Sequence, residues 1–215
     1  MERLGIAIRD RAGVYAAAAL IRRRPDLSFT VLYDPEGDAS DFHERNRGRF
    51  QSMKLSPCLY LGEDYRGDGS FYGLLRDAKD KGFTVGLRDS DFNTEFLYHT
   101  LADGLFHHSY VLHMIDSYAE RLPKEGTAVL GLLGYSYRAD DFARTFQVKG
   151  VKVVDPLDSW LSSIPEREEK GELRLYWTVR DYALERLLVE LTGEVLRFRK
   201  YYFHPWLRGE VKKKD

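Results

Sequence analysis

Carboxylate side chains follow several short apolar runs of this sequence, and their positions suit them to chemistry. Asp10 follows the run that starts at Leu4, Asp34 follows SFTVLY, Glu63 follows CLYLG, and Asp155 follows VKVV. If these runs are parallel strands, their carboxyl ends form one crevice where the acids meet. Carboxylates held there could bind Mg²⁺ or Mn²⁺ and clamp a phosphodiester. Asp and Glu also favour turns and helix starts for purely structural reasons, so both interpretations stay open.

Histidine and cysteine patterns give little support for other kinds of site. The six histidines include no HExxH pair, and His99 and His113 are too far apart to share a metal ion on one helix. Cys58 is the single cysteine, which excludes a disulfide scaffold and a cysteine-based zinc cluster. The two glycines that precede the third one in a dinucleotide-binding fingerprint are absent before Gly13. We therefore expect Cys58 in the core and Gly13 where a helix packs closely on a strand.

Apolar runs alternate with helical segments over the first two thirds of the chain. The predicted strands cover residues 4–9, 28–33, 58–62, 83–87, 127–134, 151–154 and 172–178. The predicted helices between them include 12–24, 71–81, 138–147 and a long stretch at 93–122 that Gly104 divides. This alternation predicts an α/β fold, a three-layer α/β/α sandwich with a mostly parallel, Rossmann-like central sheet.

Composition narrows the class of protein. The chain has 215 residues and a formal net charge of -1, which excludes a strongly basic coat protein. Hydrophobic residues make up 43%, too many for a disordered chain. The charged segment EREEKG predicts a boundary between a domain at 1–165 and a C-terminal extension at 166–215. With one cysteine, no membrane-spanning run and no signal peptide, the sequence predicts a soluble cytoplasmic protein.

The order of motifs resembles that of NYN domains, the LabA-like branch of the PIN-like metal-dependent ribonucleases. The resemblance covers residues 3–165 and rests on CLYLG, FYGLLRDAKDKGFTV, SYVLHMIDSYAERL and TAVLGLLGYSYRADDFARTFQVKGVKVV. It implies a PIN-like fold and an acidic Mg²⁺ or Mn²⁺ site that cleaves RNA. Asp10 and Asp116 then stand in catalytic and metal-binding positions, with Asp140 and Asp141 as further metal ligands.

At the other acidic positions the sequence departs from that family. Tyr110 stands six residues before Asp116, and Tyr135 and Tyr137 occupy the turn where acids are expected, just before Arg138. Neutral phenols cannot replace carboxylates as Mg²⁺ ligands, because a tyrosine with a pKa near 10 stays protonated at neutral pH. The resemblance therefore implies a weak or lost nuclease whose tyrosines and Arg138 hold RNA.

The C-terminal tail interleaves basic and aromatic residues in RFRKYYFHPWLRG. Segments of this kind bind single-stranded nucleic acids, which makes Arg197, Arg199, Lys200 and Trp206 candidate RNA contacts. In the alternative interpretation, the aromatics pack the tail onto the domain or onto a second copy of the chain, forming a homo-oligomer.

The predicted function is thus an RNA-directed, NYN-like nucleic-acid-binding protein with weak or lost metal-dependent nuclease activity. The alternatives are an active Mg²⁺- or Mn²⁺-dependent ribonuclease and a protein-interaction module that binds no nucleic acid. Erythromycin-esterase-like and haem-uptake-like proteins fit less well, because they have histidines where Tyr65 and Tyr135 or Tyr137 stand. Aspartate/glutamate racemases share the layout but need two cysteines, and this chain has one.

Overall fold

The computed structural model describes residues 3–105, 109–168, 171–179 and 181–192, whose strands form two four-stranded sheets. The first sheet contains β1 (Leu4–Ile8), β2 (Phe29–Tyr33), β3 (Cys58–Leu61) and β8 (Leu173–Trp177), in the order β3-β1-β2-β8. The second contains β4 (Phe83–Gly86), β5 (Phe92–Asn93), β6 (Gly126–Leu130) and β7 (Val151–Val154), in the order β5-β4-β6-β7. Every pairing in both sheets is parallel.

Helices link the strands, because parallel neighbours need crossover connections that cover the sheet faces. They are α1 (Arg11–Arg23), α2 (Ala39–Ser52), α3 (Phe71–Ala78), α4 (Glu95–Ala102), α5 (Ser109–Glu120), α6 (Ala139–Gln147), α7 (Pro156–Ser162) and α8 (Tyr182–Thr192). A six-residue 3-10 turn, Leu133–Arg138, precedes α6. The predicted α/β/α sandwich with parallel strands is confirmed, and the strands are divided between two sheets.

Helix α1 packs closely against the carboxyl end of β3 in the first sheet. Its four consecutive alanines at 16–19 are buried, and Asp10 accepts a hydrogen bond from the Gly13 amide as the N-cap. A Cβ atom at Gly13 would lie 2.7 Å from the Leu61 carbonyl oxygen, at the end of β3. Glycine therefore lets α1 lie directly against this strand end, as the sequence predicts.

The sequence-based expectation holds at Gly104, whereas two short elements, β5 and α7, were not predicted. The predicted helix at 93–122 is divided into α4 and α5, with Gly104 at a φ of +87° between them, as expected. β5 has only two residues, too few for a period to show. Helix α7 follows Asp155, whose side chain accepts from the Leu157 amide, with Pro156 in the first turn.

The predicted C-terminal extension contributes to the first sheet. β8 pairs in parallel with β2, so that Thr30 lies opposite Arg174, and α8 packs against α1. The proposed boundary between 1–165 and 166–215 and a homo-oligomer formed through the tail both stay predictions. Within the described ranges, no helix is long and apolar enough to cross a membrane.

Candidate functional site

A cavity of about 170 Å³ lies at the carboxyl ends of β1 and β3, facing α4 and the 3-10 turn. Drug-sized ligands occupy roughly 300–1,000 Å³, so this cavity suits a small molecule. Its polar lining comes from α1 and the loop after β3 on one side and from α4 and the 3-10 turn on the other. The polar residues are Asp10, Arg11, Tyr15, Glu63, Tyr98 and Tyr135. The carboxyl ends of parallel strands are where ligands bind in open α/β sheets.

Two larger depressions are more open to solvent. One, of about 490 Å³, is lined by residues of α4 and α5 that include Phe96 and Tyr118. The other, of about 530 Å³, lies between α2 and the loop at 64–68. Neither contains Asp10 or Glu63, and the smaller cavity is the one into which partly buried ionisable groups converge.

Asp10 is held rigidly at the start of α1. One carboxylate oxygen accepts from the Gly13 amide at 2.9 Å, and the other accepts from the Glu63 amide at 2.6 Å. Burial raises the pKa of Asp10, although these backbone donors oppose the effect, and the Asp64 charge raises it further. Asp10 is thus both a helix cap and a carboxyl group that holds its proton more tightly than usual.

Glu63 lies beside Asp10 on the same sheet edge. The Tyr98 hydroxyl donates to Glu63 Oε2 at 3.0 Å. Burial raises the pKa of Glu63, and the neighbouring Asp10 charge adds to the rise, while the hydrogen bond from Tyr98 opposes it. A carboxyl group whose pKa is raised by burial and by a neighbouring like charge is of the kind that general acid–base catalysis uses.

The tyrosines of the cavity act as neutral donors. Burial and the Glu63 charge raise the pKa of Tyr98 to about 12, and burial raises that of Tyr15 to about 12. Tyr135 is fully buried; its hydroxyl donates to the Thr94 carbonyl at 3.1 Å and lies 2.8 Å from Thr94 Oγ1. Burial raises the pKa of Tyr135 as well. Exposed Arg11 adds a positive charge at the rim.

The four acids predicted to bind metal are dispersed. Asp10 lines the cavity, whereas exposed Asp116 on α5 accepts from Thr145 Oγ1 at 3.0 Å. Asp140 is exposed at the start of α6, and Asp141 there forms ion pairs with two arginines at 2.8 and 2.7 Å. No group of three or more His, Cys, Asp or Glu residues in the described ranges could hold a metal ion. The predicted Mg²⁺ or Mn²⁺ site does not form from these residues.

The predicted RNA-contacting tyrosines have other partners. The Tyr137 ring lies 5.6 Å from that of Tyr15 and is covered by the Arg22 guanidinium. Buried Tyr135 offers no face for a base, whereas Tyr110 on α5 is exposed. Arg138 forms an ion pair with Asp141. The remaining candidates, Arg197, Arg199, Lys200 and Trp206, lie outside the described residues.

Cys58 lies away from the cavity and is partly buried, packed against the side of the core instead of within it as expected. It begins β3, at the strand end opposite to Glu63, and its thiol donates to the Leu55 carbonyl at 3.4 Å. Burial raises the pKa of Cys58 to about 11, so the thiolate is scarce at neutral pH. Thiolate chemistry in the cavity would therefore need a cysteine that this chain does not contain.

Sequence reasoning recognised Glu63 as a strand-end acid but did not select it as a site residue, and it missed Tyr98. The signal for Glu63 is its position two residues after β3, like that of Asp10 after β1. No local pattern marks Tyr98, which reaches the site from α4, across 35 residues of chain.

No protein-family model and no curated protein matches the chain. Solved structures with a similar fold include glutamate racemases from several bacteria. The Thermus thermophilus enzyme, in complex with β-chloro-D-alanine, is 16% identical with a TM-score of 0.58, over 95% of this chain and 97% of that one. The Francisella tularensis enzyme, in complex with D-glutamate, is 11% identical with a TM-score of 0.54, over 94% and 97%. The Campylobacter jejuni enzyme is 11% identical with a TM-score of 0.53, over 86% and 96%.

This likeness shows the fold, and it corrects the resemblance to NYN domains. The interpretation of the chain as an RNA-binding or metal-binding protein, with weak, lost or active nuclease activity, is wrong, and the protein-interaction module is not supported either. Ligand sites at the carboxyl ends of parallel strands are common to many α/β folds, so acids after strands do not identify one family. The single cysteine was also a poor guide, because it describes the chemistry of a site and not the fold around it.

Proposed function

We propose that this chain is an enzyme that transfers a proton at the carbon atom next to the carboxylate of a small acid. The observation that carries the proposal is the carboxyl pair of Asp10 and Glu63, whose pKa values are both raised in a small cavity. A base whose pKa moves upward toward neutral pH removes a carbon-bound proton more readily, provided that it is still ionised. The chemistry uses side chains alone.

The proposed substrate class follows from size and charge. A cavity of about 170 Å³ admits a molecule of a few carbon atoms. Arg11 at its rim can pair with the carboxylate of such a molecule and so orient it toward the acids. The Francisella tularensis neighbour holds D-glutamate, which supports an amino acid of this size as the first candidate.

The two acids have different roles in the proposal. Glu63 is held by a side-chain donor, Tyr98, and we assign it as the group that takes the proton. Asp10 is fixed by two backbone amides, and we assign it as the neighbour that raises the proton affinity of Glu63. A rigid neighbour of like charge keeps the base reactive without competing for the substrate.

Hydrogen exchange tests the proposal directly. The protein is incubated in D₂O with D- or L-glutamate and D- or L-aspartate, and loss of the α-hydrogen signal is followed by proton NMR. We expect exchange with at least one acid, and a loss of at least about 100-fold in Glu63→Gln, the scale of general-base contributions. The matched control is Asp116→Asn, an acid outside the cavity, which should exchange at the wild-type rate. Absence of exchange with all four acids would contradict the proposal.

A second candidate function is ligand binding without chemistry. It is favoured by the bonding of Asp10, because both of its carboxylate oxygens already accept from backbone amides, as those of a structural cap do. Calorimetric titration with the same four acids distinguishes the two candidates. Binding that is weakened by Arg11→Met but accompanied by no α-hydrogen exchange would favour the second.

A further inference from the structure

We infer that the carbon-bound proton leaves and returns on one face of the substrate, so that exchange proceeds with retention of configuration. This inference rests on the proposed function and adds its stereochemistry. It depends on how the ionisable groups are distributed over the cavity, because both carboxyl groups lie on one of its two walls.

The carboxyl groups lie on the wall built by the first sheet. Ile8 and Leu61 are paired in the register of β1 and β3, and Asp10 and Glu63 each follow two residues later. The hydrogen bond of 2.6 Å from the Glu63 amide to Asp10 Oδ2 joins the two positions. Both acids therefore approach a ligand from the same edge of the same sheet.

The opposite wall comes from α4 and the 3-10 turn. Among the described residues, its lining consists of Tyr98, Leu101, Ala102, Gly134 and Tyr135. None of these side chains is a carboxylate, imidazole, thiol or amine. Among the described residues of this wall, a base on the second face would have to be a tyrosinate, which is scarce at neutral pH because the pKa of Tyr98 is raised to about 12.

The phenol protons of this wall are also directed elsewhere. Tyr135 donates its proton to the Thr94 carbonyl, and Tyr98 donates its proton to Glu63. Neither hydroxyl therefore has a proton aimed at a carbanion on the second face. Returning a proton from that side would first require breaking one of these hydrogen bonds inside a partly buried site.

The proposed step balances within the site and solvent. The carbon–hydrogen bond breaks, its electron pair stays on the substrate as an enediolate, and the proton moves to a Glu63 carboxylate oxygen. The positive charge of Arg11 stabilises the added negative charge on the substrate carboxylate. In D₂O the Glu63 proton exchanges with solvent, and a deuteron returns to the same face of the carbon. Inversion would need a donor on the other face.

The test compares exchange with inversion in the full-length wild-type protein. Each enantiomer of glutamate and aspartate is incubated in D₂O, deuterium at the α-carbon is read by NMR, and configuration is read by chiral chromatography. We expect deuterium incorporation at least 10-fold faster than appearance of the opposite enantiomer. Inversion at a rate equal to exchange would overturn the inference but leave the proposed function standing. Absence of exchange would overturn both.

The Glu63→Gln variant tests whether Glu63 is the base that removes the α-hydrogen. Glu63→Gln should abolish the exchange seen in the wild type, because Glu63 is the one base on the face from which the α-hydrogen leaves. If Glu63→Gln abolished exchange of one enantiomer and left the other at the wild-type rate, a second base would exist, and the inference would be wrong. The folding of the variant is checked by its thermal transition, and Asp116→Asn is again the matched control.

Discussion

The Tyr98 hydroxyl donates a hydrogen bond of 3.0 Å to Glu63 Oε2 and so joins α4 to the loop after β3. Helix α4 is tied to the second sheet one turn earlier, where Thr94 Oγ1 donates to the Gly86 carbonyl at 3.1 Å. Tyr98 therefore connects the two sheets across the cavity, through the acid that we propose as the base.

Removal of this hydroxyl should change the titration of Glu63. In Tyr98→Phe the ionised carboxylate loses a donor, so we expect the pKa of Glu63 to rise further. The charged and titratable groups that act on Glu63 besides Tyr98 are Asp10, Asp64 and Arg66, and the substitution retains them. The measurement is a carboxyl carbon NMR titration of the protein without ligand.

The matched control for that titration is Tyr118→Phe. Tyr118 is also buried, lies on the neighbouring helix α5, and packs edge-to-face on Phe92. The control should leave the Glu63 titration unchanged. An unchanged or lower pKa of Glu63 in Tyr98→Phe would show that the hydrogen bond does not stabilise the ionised form.

Glu63 should reduce stability at neutral pH. Burial, together with the Asp10 charge, raises its pKa in the folded state, so the folded protein binds the proton more tightly than the unfolded chain. Proton binding by Glu63 therefore stabilises the folded state. This contribution is complete below pH 4.5, the ordinary pKa of a glutamate, and is lost as the pH rises through the pKa of Glu63 in the folded protein. We expect Glu63→Gln to melt at a higher temperature than the wild type at pH 7.

That difference in melting temperature should disappear below pH 4.5, where Glu63 is protonated in both states. The control is Glu95→Gln on the exposed side of α4, where an ion pair with Arg88 lowers the pKa of the glutamate. This control should not gain stability at neutral pH. Equal melting temperatures of wild type and Glu63→Gln at pH 7 would contradict the prediction.

The strands were predictable because parallel strands buried on both faces are continuous apolar runs. β1 and β2 are buried along their whole length, and both were predicted from LGIAIR and SFTVLY. β5 was missed because two residues carry no period. The division into two sheets was also missed, since the order of strands along the chain does not state which strands pair.

The candidate site was predictable only in part. Asp10 was found because a strand end followed by a helix start is a local pattern, and the structure places it at the N-cap of α1. Its predicted partner, Asp116, has a hydrogen bond with Thr145 on α6 instead. Tyr98 is brought to Glu63 by the packing of α4, a contact that no short window of sequence contains.

Close packing at Gly13 can be tested against a glycine in open space. In Gly13→Ala the new Cβ would lie 2.7 Å from a backbone oxygen and 2.9 Å from Ile8 Cγ2. We expect a loss of about 1–3 kcal/mol in the free energy of unfolding, as for other overpacked cores. Gly48 in α2 has nothing within 4 Å of such an atom, so Gly48→Ala should gain about 0.4–1 kcal/mol. Urea denaturation measures both, and equal effects would contradict the packing argument.

Arg23 should be essential for holding α1 against the start of α7 and the 3-10 turn. Its guanidinium donates to Asp155 Oδ2 at 2.7 Å, to Asp158 Oδ1 at 2.8 Å and to the Ser136 carbonyl at 2.6 Å. The Asp155 side chain is only 1% exposed. Because Arg23→Met leaves this carboxylate buried without its cation, we expect a loss of about 3 kcal/mol in the free energy of unfolding.

The paired variant distinguishes loss of the ion pair from loss of packing. In Arg23→Met with Asp155→Asn the buried charge is gone, while the amide oxygen can still accept from the Leu157 amide and from Ser136 Oγ. We expect the double variant to be more stable than Arg23→Met alone, because the penalty comes mainly from the unpaired carboxylate. If the two losses simply added, Arg23 would act through its packed alkyl stem, and its ion pair with Asp155 would not be what holds α1 against the start of α7.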